Sequence, residues 1–112
     1  MVRWKIDYYD VPSGRKPVEE FIDEQKVEIK AKYTGMIDFL GEYGPFLSGK
    51  YTKKIRKDLY ELRITGKEQI RVLYTTQGRT IILLHAFKKK TQKTPLKEIK
   101  TALLRLELLN AS

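Results

Sequence analysis

The chain has 112 residues, of which 41% are hydrophobic and 33% charged, and it contains no cysteine. This length and composition exclude a disordered tail and a disulfide framework, and they predict one folded domain over residues 1–112 with a single core. No apolar run approaches the ~20 residues of a membrane helix, and MVRWKIDYYD holds no apolar signal segment, so we expect a cytoplasmic protein without a membrane partner.

The formal net charge of +9 is distributed unevenly along the chain. Residues 1–49 hold seven Lys/Arg against nine Asp/Glu, whereas residues 50–112 hold sixteen against five, a net charge of +11. An excess of this size indicates an anionic partner, which is a nucleic acid, an acidic protein segment or an anionic membrane surface. The membrane is the least favoured of these, because the basic residues lie in strand-like segments rather than on one amphipathic helix.

The N-terminal residues alternate between apolar and charged side chains. Val2, Trp4 and Ile6 occupy every second position, which is typical of a half-buried strand over residues 2–9. Residues 10–16 contain Pro, Ser and Gly and predict a loop after this strand.

A long helical pattern follows the loop. Pro17 suits the first helical position, and apolar residues recur at roughly helical spacing as far as Leu40. We expect a break into two helices near Thr34-Gly35, and an end at Gly41 or at Gly44-Pro45.

From residue 50 the pattern changes to that of strands, with turn signals at Thr65-Gly66 and Gln77-Gly78. The strand-like segments are KYTKKIRK, DLYELRI, QIRVLYTT and TIILLHAFK. Thr94 suits the N-cap of a final helix that has Pro95 at its first position and a leucine-rich stripe. The sequence therefore predicts an α+β domain with a mainly antiparallel sheet, in the order β-α-(α)-β-β-β-α.

Pairing DLYELRI with QIRVLYTT through a five-residue loop makes one face of the hairpin wholly apolar or aromatic. The opposed pairs on that face are Tyr60–Tyr74, Leu62–Val72 and Ile64–Ile70. The same register puts Arg63 directly opposite Arg71 on the other face, with Glu61 across from Leu73. Two opposed arginines repel each other, so this face needs an anion or a nearby carboxylate.

The last strand-like segment carries the only histidine and a run of lysines. Strict alternation predicts that Lys88 extends the arginine face while His85 and Phe87 lie on the apolar face, although a bulge at the strand end would change these sides. Taken alone, the lysine run is typical of a solvated strand end and His85 of a core histidine. The convergence of two arginines and several lysines within residues 53–93 favours a polyanion site. A single histidine among scattered carboxylates lacks zinc-ligand spacing, so neither a metal nor a cofactor is predicted.

Three segments of the chain carry a family resemblance, namely KKIRKDLYELR at 53–63, IRVLY at 70–74 and LLHAFKKKTQKTP at 83–95. They closely resemble the phage-derived HigB-like branch of the RelE toxin superfamily, and the similarity runs from about Pro45 to Arg105. The resemblance implies a small antiparallel sheet with helices packed on one face and a basic concave surface on the other. It also implies a type II toxin that cuts mRNA on the translating ribosome and is silenced by an antitoxin, often a helix-turn-helix (HigA-like) protein.

The resemblance also implies roles for individual residues. Arg71 in the first place, and Arg63 in the second, would stabilise the charge that builds when the 2′-hydroxyl of the RNA attacks the adjacent phosphate. The residues implied to bind RNA phosphates are Lys53, Lys54, Lys88 and Lys89, with one of the last two as a candidate acid, and we expect the nearby Lys90 and Lys93 to bind RNA as well. Several relatives carry a tyrosine beyond the last strand, where this chain has no aromatic residue, so the general base is open. The candidates for it are His85, Glu61 and, if its pKa is lowered, Lys89.

Two other functions are compatible with the same residues. The basic face would also suit a non-catalytic regulator or degenerate toxin that binds RNA or DNA without cutting it. It would also suit an interaction protein whose basic surface receives an acidic antitoxin segment, a role that for a toxin adds to cleavage rather than excluding it. Cleavage of mRNA after brief induction would separate the enzyme from the non-catalytic regulator, and co-purification with the neighbouring gene's product would test the interaction.

Overall fold

The computed structural model describes residues 3–46 and 49–111, without the side chain of Phe46. Within these residues it contains five strands and three helices. The strands are β1 (Lys5–Tyr8), β2 (Thr52–Arg56), β3 (Leu59–Ile64), β4 (Ile70–Gln77) and β5 (Thr80–Lys88). The helices are α1 (Pro17–Asp23), α2 (Val27–Tyr43) and α3 (Leu96–Ala111), and a short 3-10 turn, Gly44–Phe46, follows α2.

All five strands form one sheet in the order β1-β5-β4-β3-β2. Only β1 runs parallel to its neighbour, so the predicted α+β class and mainly antiparallel sheet are confirmed. The predicted order allowed three strands between the helices, whereas the structure has four. The four strands correspond to the four strand-like segments of the sequence, of which the predicted order counted one too few. Strands β2 and β3 are joined by a tight turn in which Asp58 has a φ of 61°.

The register predicted for β3 and β4 is confirmed. Tyr60 pairs with Tyr74 at one end and Ile64 with Ile70 at the other, on either side of the five-residue loop. Arg63 lies directly opposite Arg71, and Glu61 lies opposite Leu73. Two-residue alternation therefore separates a buried apolar face from a face that carries both arginines.

The end of β5 departs from strict alternation because it contains a bulge. Tyr74 pairs with Leu83 whereas Leu73 pairs with His85, so β5 has one residue more than β4 at this point. Beyond the bulge, Phe87 pairs with Arg71 and Lys88 pairs with Ile70. The predicted sides of His85, Phe87 and Lys88 were therefore wrong, because the extra residue exchanges the two faces.

The helices cover both faces of the sheet. Helices α1 and α2 pack on the face of Val72 and Tyr74, and α3 packs on the opposite face against Leu73 and Leu84. The resemblance implied that all helices pack on one face of the sheet, and the position of α3 on the other face corrects this. Because α3 covers only one end of the arginine face, the other end is left for polar side chains.

The break between the first two helices lies earlier than predicted. α1 ends at Asp23 and α2 begins at Val27, and α2 continues through Thr34 and Gly35 without interruption. A glycine inside a helix costs only about 1 kcal/mol, which the burial of Tyr33 and Leu40 on either side offsets. The predicted end at Gly44 is confirmed, since this residue has a φ of 66° that favours glycine.

The N-terminal strand follows the predicted alternation where it is described. Trp4 and Ile6 pack against the core beneath α1 and α2. Val2, the third residue of the predicted alternation, lies outside the described residues. None of the helices in the described part of the chain is long and apolar enough to cross a membrane.

Candidate active site

The arginine face is organised around one buried carboxylate. Glu61 is only 1% exposed, and its Oε1 lies 3.5 Å from Nε of Arg63 and 3.8 Å from Nε of Arg71. A carboxylate between two opposed guanidiniums relieves the repulsion that the register creates. Of the two predicted alternatives, an anion or a nearby carboxylate, the structure thus supplies the carboxylate, from the strand that carries Arg63.

Arg71 is held in place from several directions. Its side chain is 8% exposed, and Nη1 donates to the carbonyl oxygen of Ile70 at 3.0 Å. Nη1 and Nη2 both lie 3.3 Å from Oε1 of Gln69, to which they donate. Burial lowers the pKa of Arg71, which Glu61 opposes and Arg63 reinforces. A guanidinium, whose ordinary pKa exceeds ~12, keeps its charge under these conditions, so Arg71 is a fixed cation.

The segment between β5 and α3 closes over this face. The backbone N–H of Lys89 donates to the carbonyl oxygen of Gln69 at 2.7 Å, and the Thr94 hydroxyl donates to Oε2 of Glu61 at 2.5 Å. Thr94 was predicted to cap α3, but the carbonyl of Pro95 accepts the first helical hydrogen bonds, from Glu98 and Ile99. The hydroxyl therefore anchors the segment to the buried carboxylate instead.

Two hollows lie beneath this segment, and we call them together the basic groove. The first, of about 320 Å³, is lined in part by Lys53, Glu61, Arg63, Lys93 and Thr94. The second, of about 480 Å³, is lined in part by Gln69, Arg71 and Lys90. Lys89 and Gln92 line both hollows, so the two are adjacent.

Lys89 has the environment of a group that can exchange a proton. Burial lowers its pKa, and the charges of Arg71 and Arg63 lower it further, against the opposing effect of Glu61. A lysine with a lowered pKa releases its proton more readily than a solvated one. Of the three base candidates named from the sequence, Lys89 is the one with a lowered pKa that also lines both hollows.

His85 lies on the arginine face but beneath α3, outside the lining of the two hollows. Its Nε2 lies 2.8 Å from Oε1 of Glu98 and its Nδ1 lies 3.3 Å from Nη1 of Arg105. The ring also stacks on Phe87 with the ring centroids 5.7 Å apart. The structure thus places His85 in the packing between α3 and the sheet.

The protonation of His85 should make the stability of the fold depend on pH. Burial lowers the pKa of His85 and Arg105 lowers it further, while Glu98 raises it, with a net lowering. As the pH decreases, the unfolded chain therefore takes up a proton on His85 at a higher pH than the folded chain does. The free energy of unfolding should fall as the pH decreases through about 6.5, by at most about 1.4 kcal/mol per pH unit. Denaturant unfolding at pH 7.5 and 5.5 should show this loss, and the non-titrating His85→Gln variant should show less. A greater loss in the variant would mean that the protonated His85–Glu98 pair dominates.

The implied lysines divide into two groups. Lys53, Lys89, Lys90 and Lys93 line the basic groove. Lys54 pairs with Tyr60 on the other side of the sheet, and Nζ of Lys88 lies 3.3 Å from Oε1 of Glu68. The structure does not bring these two lysines to the arginine face.

Three polar residues of the groove were missed as site residues by the sequence reasoning. Gln69 and Gln92 carry no pattern that separates them from ordinary loop residues, and Thr94 was assigned to a helix cap. The one sequence signal that could have indicated Gln69 was its position, one residue before β4, the strand that carries Arg71. Across residues 3–46 and 49–111, no group of three or more His, Asp or Glu side chains is arranged to hold a metal ion.

Comparison with known proteins gives one family match. Residues 20–107 match the family model described as phage derived protein Gp49-like (DUF891). The matched range includes α2, all strands of the basic groove and most of α3. No curated protein matches the chain.

Proposed function

Because the chain belongs to the phage-derived Gp49-like family, a family of RelE/HigB-like toxins, we propose that it is the toxin of a type II toxin-antitoxin system. In this proposal it is an endoribonuclease that cuts mRNA on the ribosome, and it thereby inhibits translation. The observation that carries the proposal is the pair of arginines held over a buried carboxylate at the floor of the basic groove.

The groove supports RNA cleavage by attack of the 2′-hydroxyl on the adjacent phosphate, without a metal ion. The attack breaks the bond to the 5′ oxygen and leaves a cyclic phosphate and a 5′-hydroxyl. Arg71 and Arg63 would bind the non-bridging oxygens, where negative charge increases in the transition state. Lys89, whose pKa is lowered, would donate a proton to the leaving 5′ oxygen, and solvent water in the open groove would accept the proton that the 2′-hydroxyl loses. Glu61 would position the arginines rather than act as base, because it is buried and both its oxygens are engaged.

Ribosome dependence follows physically from the small size of this site. The groove supplies charge and a proton donor, but it offers little to hold an RNA strand in the in-line geometry that attack requires. A ribosome that presents the codon in that geometry would supply the missing positioning. Primer extension on mRNA after brief induction tests the proposal, and cuts within translated codons are expected. Growth inhibition without any cuts would support the non-catalytic alternatives.

Two adjacent lysines provide a matched test of the groove. Lys89→Ala should weaken binding of single-stranded RNA and reduce the dependence of log K on log salt by about 0.7, the value for one lost phosphate contact. Lys88→Ala should leave both quantities unchanged, because Lys88 pairs with Glu68 away from the groove. Fluorescence anisotropy at several salt concentrations measures both. Equal losses in the two variants would contradict the placement of the RNA.

The proposed partner is an antitoxin with a helix-turn-helix domain. The net charge of +11 in residues 50–112 favours an acidic segment that covers the basic groove in the complex. Co-purification of the chain with the product of the neighbouring gene tests this proposal, and rescue of growth by that product is the expected result.

A further inference from the structure

A third hollow, which we call the aromatic hollow, lies between α2 and the end of β3. It has a volume of about 360 Å³, and the residues that matter for its chemistry are Lys32, Met36, Phe39, Tyr51, Arg63 and Thr65. Arg63 lines the basic groove as well as the aromatic hollow, so the two hollows meet at this residue. The backbone N–H of Arg63 donates to the carbonyl oxygen of Tyr51 at 2.7 Å, which fixes the two residues relative to each other.

Packing in the hydrophobic core does not account for the two aromatic rings of this hollow, because both are exposed. Phe39 is 50% exposed and Tyr51 is 37% exposed, although both are residues that usually bury most of their surface. Cations surround them, since Nζ of Lys50 lies 5.6 Å from the centre of the Tyr51 ring and Nζ of Lys32 donates to the carbonyl oxygen of Thr65. None of the described lining residues is acidic.

We propose that the aromatic hollow is a base-stacking subsite for a nucleotide that flanks the cleaved phosphate of single-stranded RNA. This inference rests on the proposed function and extends its site. The base would stack on the face of Tyr51 beside Phe39, and the phosphate on its groove side would contact Arg63. A strand leaving the basic groove past Arg63 reaches this hollow next, because Arg63 lines both.

The chemistry of the lining favours RNA over a protein segment. Exposed aromatic faces between cations suit a polymer in which every unit carries both a flat ring and a negative charge. Single-stranded RNA has this composition in each nucleotide, whereas an acidic peptide carries its charges and its rings on different residues. The continuity of the aromatic hollow with the basic groove also places it where an RNA strand bound by the arginines would extend.

Binding of a short single-stranded RNA, made uncleavable by 2′-deoxy substitution, tests the subsite. A series of such oligonucleotides carries one abasic residue at successive positions, and affinities are measured by fluorescence anisotropy at low salt. For wild-type protein, one abasic position should weaken binding about five- to 100-fold, the contribution expected of one stacked base. In the Tyr51→Ala variant the intact RNA should bind correspondingly less tightly, and that abasic position should cause no further loss.

Two variants serve as controls. Tyr51→Phe keeps the ring and should retain the wild-type preference for the intact RNA. Leu104→Ala removes an apolar side chain that is 57% exposed on α3 and does not line the hollow, and it should bind RNA as the wild type does. Thermal unfolding of each variant shows whether the fold is retained.

The outcomes separate the subsite from the function on which it rests. Absence of salt-dependent RNA binding by the wild-type protein overturns the subsite, and absence of mRNA cuts after induction overturns the proposed function with it. If binding depends on salt and on Arg71 but the abasic position has the same effect in wild type and Tyr51→Ala, the subsite alone is overturned. Loss of antitoxin capture by Tyr51→Ala with unchanged RNA binding would likewise overturn it and make the hollow a protein interface.

Discussion

Replacement of Arg71 by alanine is expected to reduce mRNA cleavage by at least about 100-fold and to abolish growth inhibition. Arg71 is a buried cation that is oriented by Gln69 and by the carbonyl of Ile70 at the floor of the basic groove. A guanidinium held in this way keeps its positive charge at a fixed position, so it can stabilise the charge that develops in the transition state without reorganising. Primer extension after induction, normalised to the amount of protein, measures the effect.

Two further substitutions sharpen the Arg71 test. Arg71→Lys keeps the charge but loses the planar fork, so most of the activity should still be lost. Arg56→Ala removes an exposed arginine of β2 that is not among the lining residues of the groove, and it should remain toxic. Full toxicity of Arg71→Ala at equal expression would remove Arg71 from the mechanism.

Replacement of Glu61 by glutamine is expected to lower the free energy of unfolding by about 3 kcal/mol, the lower end of the range for breaking a buried ion pair. The change leaves Arg63 and Arg71 opposed in the sheet without the negative charge that lies between them. Glutamine retains the shape and an acceptor for the Thr94 hydroxyl, so the lost charge is isolated as the cause. Urea denaturation measures the difference.

Phosphate should partly restore the stability of the Glu61→Gln variant. An anion that binds the folded protein between the arginines stabilises it by mass action, and the variant has more to gain than the wild type. The midpoint of thermal unfolding should therefore rise more in the variant when inorganic phosphate replaces chloride at matched ionic strength. Glu107→Gln, a change of an exposed carboxylate on α3, controls for net charge. An equal phosphate response in all three proteins would show that Glu61 does not neutralise the arginine pair.

The sequence alone was sufficient to place the arginine pair. Alternation fixes which side chains share a face of a strand, and the five-residue loop fixes which residues of β3 and β4 are opposed. Both are local properties, since they depend on residues within one hairpin. Arg63 opposite Arg71, with Glu61 two residues away, therefore followed from pattern and spacing, as did the need for a carboxylate beside them.

The remainder of the site depended on contacts between residues far apart in the chain. The alternation in the sequence of β5 gives no sign of the bulge that the structure contains. This bulge places Lys88 on the face opposite the arginines. The apolar stripe of α3 likewise shows that the helix is buried, but it does not show on which face of the sheet the helix packs. Its position brings Thr94 to Glu61 and engages His85 with Glu98.

The sequence by itself determined the α+β class, the register of β3 against β4 and the two arginines at the floor of the groove, because hydrophobic periodicity and turn length act within a hairpin. Only the tertiary structure decided which lysines join them, that Glu61 is buried, and that Tyr51 and Phe39 lie beside Arg63. These features are set by how α2, α3 and the segment after β5 pack on the sheet. Such packing is a sum of many small contacts that no single stretch of sequence displays.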